Sequence, residues 1–163
     1  MNGIYLLLGS NMGNRLEFLR EAITLLLQSK IEIIDESSIY ETAPWGPKDQ
    51  GWFLNVILEV ASSKSPSELL ATLLDIEQEI GRIRKEKWGE RSIDIDILYY
   101  HAEVLETEKL TIPHPGIPDR RFTLVPLVEM APMAIHPVHH KSHVELLAEC
   151  KDTLDCRLTD YKL

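Results

Sequence analysis

The chain has 163 residues, 44% hydrophobic and 26% charged, with 26 acidic against 17 basic side chains for a formal net charge of −9. That length fits a single domain over residues 1–163 with a core of its own. The acidic balance opposes a general nucleic-acid binder, which needs an electropositive footprint, and no apolar run approaches the roughly 20 residues of a membrane span.

The start, Met1-Asn2-Gly3-Ile4-Tyr5-Leu6, lacks a basic segment and a small-residue cleavage site, so it reads as strand rather than secretory leader. Gly3 to Leu8 is an apolar run ending at Gly9. The turn Gly9–Arg15 carries two glycines but neither the Lys-Ser/Thr ending of a P-loop nor the spacing of a dinucleotide fingerprint. It reads as a tight turn with Asn14 capping the first helix. Leu16, Leu19, Ile23 and Leu26 then fall at helical spacing to about Gln28. Ile31 to about Glu41 returns to β-branched, alternating character, and Thr42–Gly51 is a loop with two prolines and two glycines.

Phe53 to Ala61 predicts another strand. Ser65-Pro66-Ser67-Glu68 is a capping box with proline at the first helical position, and Leu69, Leu73, Ile76, Ile80 and Ile83 continue that helix. Ile93 to Tyr100 is the fourth strand. The order is βαββαβ, a ferredoxin-like α+β core with two helices on one face of a four-stranded antiparallel sheet. A C-terminal helical extension, with helices near Arg121–Met130 and Ser142–Glu149, is expected to cover the other face or an edge. Cys150 and Cys156 are the only cysteines, and two free thiols fit a reduced, cytoplasmic setting.

The segment with most chemistry is Arg91-Ser92-Ile93-Asp94-Ile95-Asp96-Ile97-Leu98. On a strand its isoleucines line one face and both aspartates the other, about 6.6 Å apart at Cα. Carboxylates so placed suit a pair of metal ions about 3.5–4 Å apart, and they are costly to bury without positive charge nearby. Just upstream, Gly81–Arg91 carries five basic side chains in eleven residues, with Trp88 among them. The loop from Thr42 to Asn55 holds Trp45, Trp52 and Phe53 beside an amide, a set suited to a flat heterocycle. Glu77 lies seven residues before Arg84 on one helix face and, taken alone, reads as a surface glutamate. His114 is held between two prolines on rigid extended backbone. His136, His139, His140 and His143 lack the spacing of a zinc site and are expected to be solvent-exposed.

Taken together, Gly81-Arg82-Ile83-Arg84 and Trp88-Gly89-Glu90-Arg91-Ser92-Ile93-Asp94-Ile95-Asp96 resemble the signature of the 6-hydroxymethyl-7,8-dihydropterin pyrophosphokinase family. Leu8-Gly9-Ser10-Asn11, Glu41-Thr42-Ala43-Pro44, Phe53-Leu54-Asn55, Pro113-His114-Pro115, Arg120-Arg121-Phe122 and Pro126-Leu127 extend the resemblance in the family's order. Only roughly the last 25 residues carry no signature. Glu90 stands where proline is frequent, Lys87 where arginine is common, and Trp45 where an aliphatic residue is often found; these departures bear on affinity.

The resemblance implies a monomeric enzyme of folate biosynthesis. It moves the β,γ-diphosphate of ATP, the co-substrate, to the hydroxymethyl group of a reduced pterin and releases AMP. By the same resemblance, Asp94 and Asp96 hold two Mg2+ ions on the ATP phosphates, and Arg82 and Arg91 lie nearest the transferring group. Glu77, Arg84, Lys87, Trp88, Thr111, His114 and Arg120 belong to the nucleotide side. Thr42, Pro44, Trp45, Phe53, Asn55 and Phe122 form the pterin pocket. Positioning and charge neutralisation dominate phosphoryl transfer, and Asp96 is the nearest candidate to accept the hydroxyl proton. Two other readings compete. A ferredoxin-like RNA-binding module would show paired aromatics on a basic sheet, where this chain has isoleucines. Another magnesium-dependent transferase would differ in its products.

Overall fold

The computed structural model describes residues 3–46, 50–81 and 92–163. Strand β1 (Ile4–Ser10) leads into helix α1 (Arg15–Gln28), then β2 (Glu32–Glu36), β3 (Tyr40–Thr42), β4 (Phe53–Ala61), helix α2 (Pro66–Glu79) and β5 (Asp94–Tyr100). A small hairpin, β6 (Leu105–Glu106) and β7 (Thr111–Ile112), precedes a 3-10 turn (Ile117–Asp119), α3 (Arg121–Met130), α4 (His143–Glu149) and a last strand β8 (Cys156–Leu158). The main sheet runs β5-β1-β4-β3-β8 with β2 also on β4, and every pairing is antiparallel. This is the expected ferredoxin-like order, with an added edge. Among the described residues no helix is long and apolar enough to cross a membrane.

Local chemistry sets the boundaries. Asn14 accepts the Glu17 amide at the start of α1, and Ser65 with Glu68 completes the capping box of α2. Helix α2 ends at Glu79, short of the expected Ile83: Ile80 is its C-cap and Gly81 takes φ +96°, a left-handed turn that glycine adopts without strain. Arg82, Arg84, Lys87, Trp88, Glu90 and Arg91 lie outside the described residues.

The single strand expected over 31–41 is two strands. Three residues separate Glu36 from Tyr40 while two separate their partners Leu58 and Asn55. Ser37 takes up the extra residue: its amide donates to the Ile57 carbonyl at 2.9 Å and its hydroxyl accepts the Ile57 amide at 2.9 Å, so a side chain stands in the ladder for a missing carbonyl.

The two sheet faces have different fates. Ile4, Leu6 and Leu8 on β1, Leu54, Val56, Leu58 and Val60 on β4, and Ile95 and Ile97 on β5 pack with α1 and α2 in one buried core. On the opposite face Tyr5, Leu7, Ile57, Leu98 and Tyr99 meet Leu124, Leu127 and Leu146 of α3 and α4, as expected for the C-terminal helices. These helices cap only part of that face. Its remaining part, toward the end of β1 and the start of β4 and β5, is open and lined by both polar and aromatic side chains.

Two expectations for the C-terminal region need correction. His136 and His143 are buried, not solvent-exposed. The carbonyl of Ala131, an acceptor only, holds Nδ1 of His143 at 2.7 Å, so Nε2 accepts the Tyr99 hydroxyl at 3.0 Å. His136 packs edge-on against Tyr99, and its Nδ1 accepts the Val138 and His139 amides. Helix α4 thus docks through a satisfied imidazole. The final residues, without signature in the sequence, form β8 on β3, and the Asp155 carbonyl accepts the Ala43 amide at 3.0 Å.

Candidate active site

The open part of the second face is one cavity of about 230 Å3, lined by Leu7, Gly9, Thr42, Ala43, Trp45, Gln50, Phe53, Asn55, Asp94, Asp96, His114, Arg120 and Phe122. The strand period places them. Asp94 and Asp96 alternate with the buried Ile93, Ile95 and Ile97 and so share the cavity face. Gly9 pairs with Asn55 on one side and Asp94 on the other; Leu7 pairs with Ile57 and Asp96.

Gly9 leaves room for its neighbours: a Cβ there would lie 2.7 Å from Asn55 Oδ1. The Asn55 amide donates to Thr42 Oγ1 at 2.6 Å, and both residues are buried. That bond orients the amide and leaves Oδ1 as an acceptor toward a ligand edge.

Glu77 is a correction to the surface reading. It is 3% exposed, lies on the inner stripe of α2 and does not line the cavity. Its Oε1 accepts the amide of Ile95 at 2.7 Å, the residue between the two aspartates. An exchange of one carboxylate for a missing ladder partner, charge-assisted and buried, fixes the strand that carries them.

His114 lines the cavity, and its Nδ1 accepts the Gly116 amide at 3.0 Å, which leaves the proton of the neutral ring on Nε2. Burial, with the Arg120 charge adding to it, pushes its pKa down to about 4, against an opposing pull from Asp94. At neutral pH the ring is an uncharged donor. The Arg120 guanidinium carbon lies 5.0 Å from the ring centroid of Trp45 and 5.8 Å from that of Phe122.

Behind the cavity wall, Arg15 donates to the Trp52 carbonyl at 2.7 Å and to Glu41 Oε1 at 2.9 Å. Asn11 donates to Gln50 Oε1 at 3.3 Å, and Arg157 of β8 covers the Trp52 ring at 4.6 Å. The Gly9–Arg15 turn is thus also the dock for the returning arm of the aromatic loop.

Of the residues predicted from sequence, the cavity gathers Asp94, Asp96, Thr42, Trp45, Phe53, Asn55, Phe122, His114 and Arg120, while Pro44 and Thr111 lie outside its lining. Leu7, Gly9, Ala43 and Gln50 join it unpredicted. The glycine that follows the first apolar run is the visible signal for Gly9, but its place between Asn55 and Asp94 depends on register.

The chain matches the model of the family described as 7,8-dihydro-6-hydroxymethylpterin-pyrophosphokinase (HPPK) over residues 5–132. It is 43% identical to the 2-amino-4-hydroxy-6-hydroxymethyldihydropteridine pyrophosphokinase of Aquifex aeolicus, over 91% of this chain and 92% of that one. With the Bacillus subtilis enzyme of the same name it is 47% identical, over 80% and 79%. Among solved structures, a wild-type Plasmodium falciparum HPPK-DHPS chain with pteroate superposes with a TM-score of 0.72 at 16% identity, covering 91% of this chain. This chain spans 44% of that longer protein, and the likeness concerns the fold. The chain belongs to the 7,8-dihydro-6-hydroxymethylpterin pyrophosphokinase family, enzymes that transfer a diphosphate from ATP to the hydroxymethyl group of a reduced pterin in folate biosynthesis.

Proposed function

We propose that this transfer takes place in the cavity between β3, β4 and β5, with Asp94 and Asp96 on its phosphate side and Thr42, Trp45, Phe53, Asn55 and Phe122 on its pterin side. One observation supports this above the others: two carboxylates and a set of aromatic and amide groups, from distant parts of the chain, line one cavity.

The donor set fits magnesium. Two hard carboxylates project from one strand face, and among the described residues no group of three or more His, Cys, Asp or Glu forms a closed cage. Magnesium typically takes one or two carboxylates and completes its shell with phosphates and water. Asp94 and Asp96 would hold two Mg2+ ions, which when bound neutralise phosphate charge and acidify an alcohol.

The remaining work belongs to side chains. The amide of Asn55, oriented by Thr42, reads the edge of the pterin while aromatic faces hold its plane. Asp96 is the nearest group to take the hydroxyl proton. Arg82 and Arg91 neutralise the transferring group, and Arg84, Lys87, Trp88, Thr111, His114 and Arg120 hold the nucleotide. We take residues 1–163 as one catalytic unit acting as a monomer in the cytoplasm. Support for the single unit comes from α4 and β8, beyond the matched segment, packing on the same sheet.

The test is turnover with Mg-ATP and 6-hydroxymethyl-7,8-dihydropterin, with AMP and the pterin diphosphate as products. Asp94→Asn and Asp96→Asn should each lower AMP release by about a hundredfold or more, since even groups behind a metal ligand are worth about 10- to 100-fold. Full activity in either variant would remove the phosphate side from this cavity.

A further inference from the structure

Arg120 reaches the two rings, Trp45 and Phe122, that the pterin side of the cavity offers to a flat ligand. A guanidinium and a heterocycle make the same demand on an aromatic side chain, namely one open face. One face within a cavity of about 230 Å3 does not serve both at once.

The support beneath Arg120 is specific. A Cβ built on Gly116 would lie 2.6 Å from Arg120 Nε and 2.7 Å from Cζ, so the guanidinium rests directly on the Gly116 backbone. Gly116 has φ −80° and ψ −3°, which any residue adopts. Its lack of a side chain therefore matters for space and not for conformation. Its amide is held by His114 Nδ1 at 3.0 Å, so the floor under the arginine is fixed.

We propose that Arg120 is a place-holder: its guanidinium lies over ring faces that the pterin would take, and Gly116 is the positioning residue that leaves room for it there. This rests on the pterin side of the cavity being the acceptor site. The displaced guanidinium remains in a cavity that holds Asp94 and Asp96, where its charge is retained beside carboxylates and incoming phosphates. Arg120 thereby opposes acceptor binding when no nucleotide is present, even though it serves the nucleotide side.

The test is a titration of the nucleotide-free protein with 6-hydroxymethylpterin, by calorimetry, on wild type, Arg120→Ala and Gly116→Ala. Loss of one cation–π contact of ordinary strength should tighten acceptor binding about two- to fivefold in Arg120→Ala. Gly116→Ala, in which the new methyl pushes the guanidinium aside with the backbone unchanged, should tighten it in the same direction. The Arg120→Ala variant should lose turnover while gaining nucleotide-free acceptor affinity, a split that a merely structural role does not produce. Unchanged or weaker binding in Arg120→Ala would overturn the place-holder. Tighter binding there with no change in Gly116→Ala would overturn the role given to Gly116. Absence of pterin binding in the wild type and in both variants, persisting when a non-hydrolysable ATP analogue and Mg2+ are added, would overturn the acceptor site itself, and the proposal with it.

Discussion

Asp94 and Asn55 flank the same residue from opposite sides: each is a register partner of Gly9. One strand therefore separates the carboxylate proposed for the phosphate side from the amide proposed for the pterin side, about 10 Å at about 4.8 Å per strand. In the proposed reading, a ring held at Asn55 would direct its hydroxymethyl group toward Asp94 over the bare backbone of Gly9. In Gly9→Ala the new methyl would meet Asn55 Oδ1 at 2.7 Å, so the amide must turn. Acceptor KM should rise about tenfold, the cost of one misplaced buried hydrogen bond, with KM for ATP little changed. Equal effects on both substrates would count against this geometry.

Arg15 ties α1 to both roots of the aromatic loop, through Glu41 before Thr42 and Trp52 before Phe53. Arg15→Ala should loosen Thr42 and Phe53 together. The expected result is a rise in acceptor KM of about three- to tenfold, from the loss of hydrogen bonds that are partly solvent-screened. Steady-state kinetics with each substrate varied in turn measures it.

Glu77 holds the Ile95 amide from within the core. Glu77→Leu would leave that amide buried without this acceptor, at a cost of about 1–3 kcal/mol. Urea unfolding should show a lowered midpoint, and activity should fall as well because the same strand carries Asp94 and Asp96. A stable variant with wild-type activity would show that β5 does not need this support.

Acid should destabilise the fold from the α4 side. Burial pushes His136 down to about 4, and burial likewise lowers His143 despite the favourable Ala131 carbonyl. Unfolded histidines take up protons near 6.5, folded ones only lower. Between these values the unfolded state binds more protons, so stability is complete above about pH 6.5 and declines as pH falls toward 4. Urea midpoints across pH 4–8 should show this slope, and His136→Asn should flatten it.

Most of the ladder of elements was legible from period alone. Alternation in Ile93–Leu98 and the capping box at Ser65 depend on neighbours within a few residues, which one sequence displays. The split at Ser37 was not legible, because it reflects a one-residue mismatch against β4. Glu77 was misread because the burial of a helix face depends on what packs against it. His136 and His143 failed for the same reason: Tyr99, far upstream, makes His143 a core residue.

By itself the sequence determined the αβ order, the facing of Asp94 and Asp96, the aromatic character of the loop and the family. Those follow from covalent spacing, which sets which side chains share a face. Only the tertiary structure decided that Gly9 separates Asn55 from Asp94, that Arg15 and β8 brace the aromatic loop, and that Gly116 supports Arg120. Such relationships arise from strand register and from packing between segments tens of residues apart, and no local pattern encodes them.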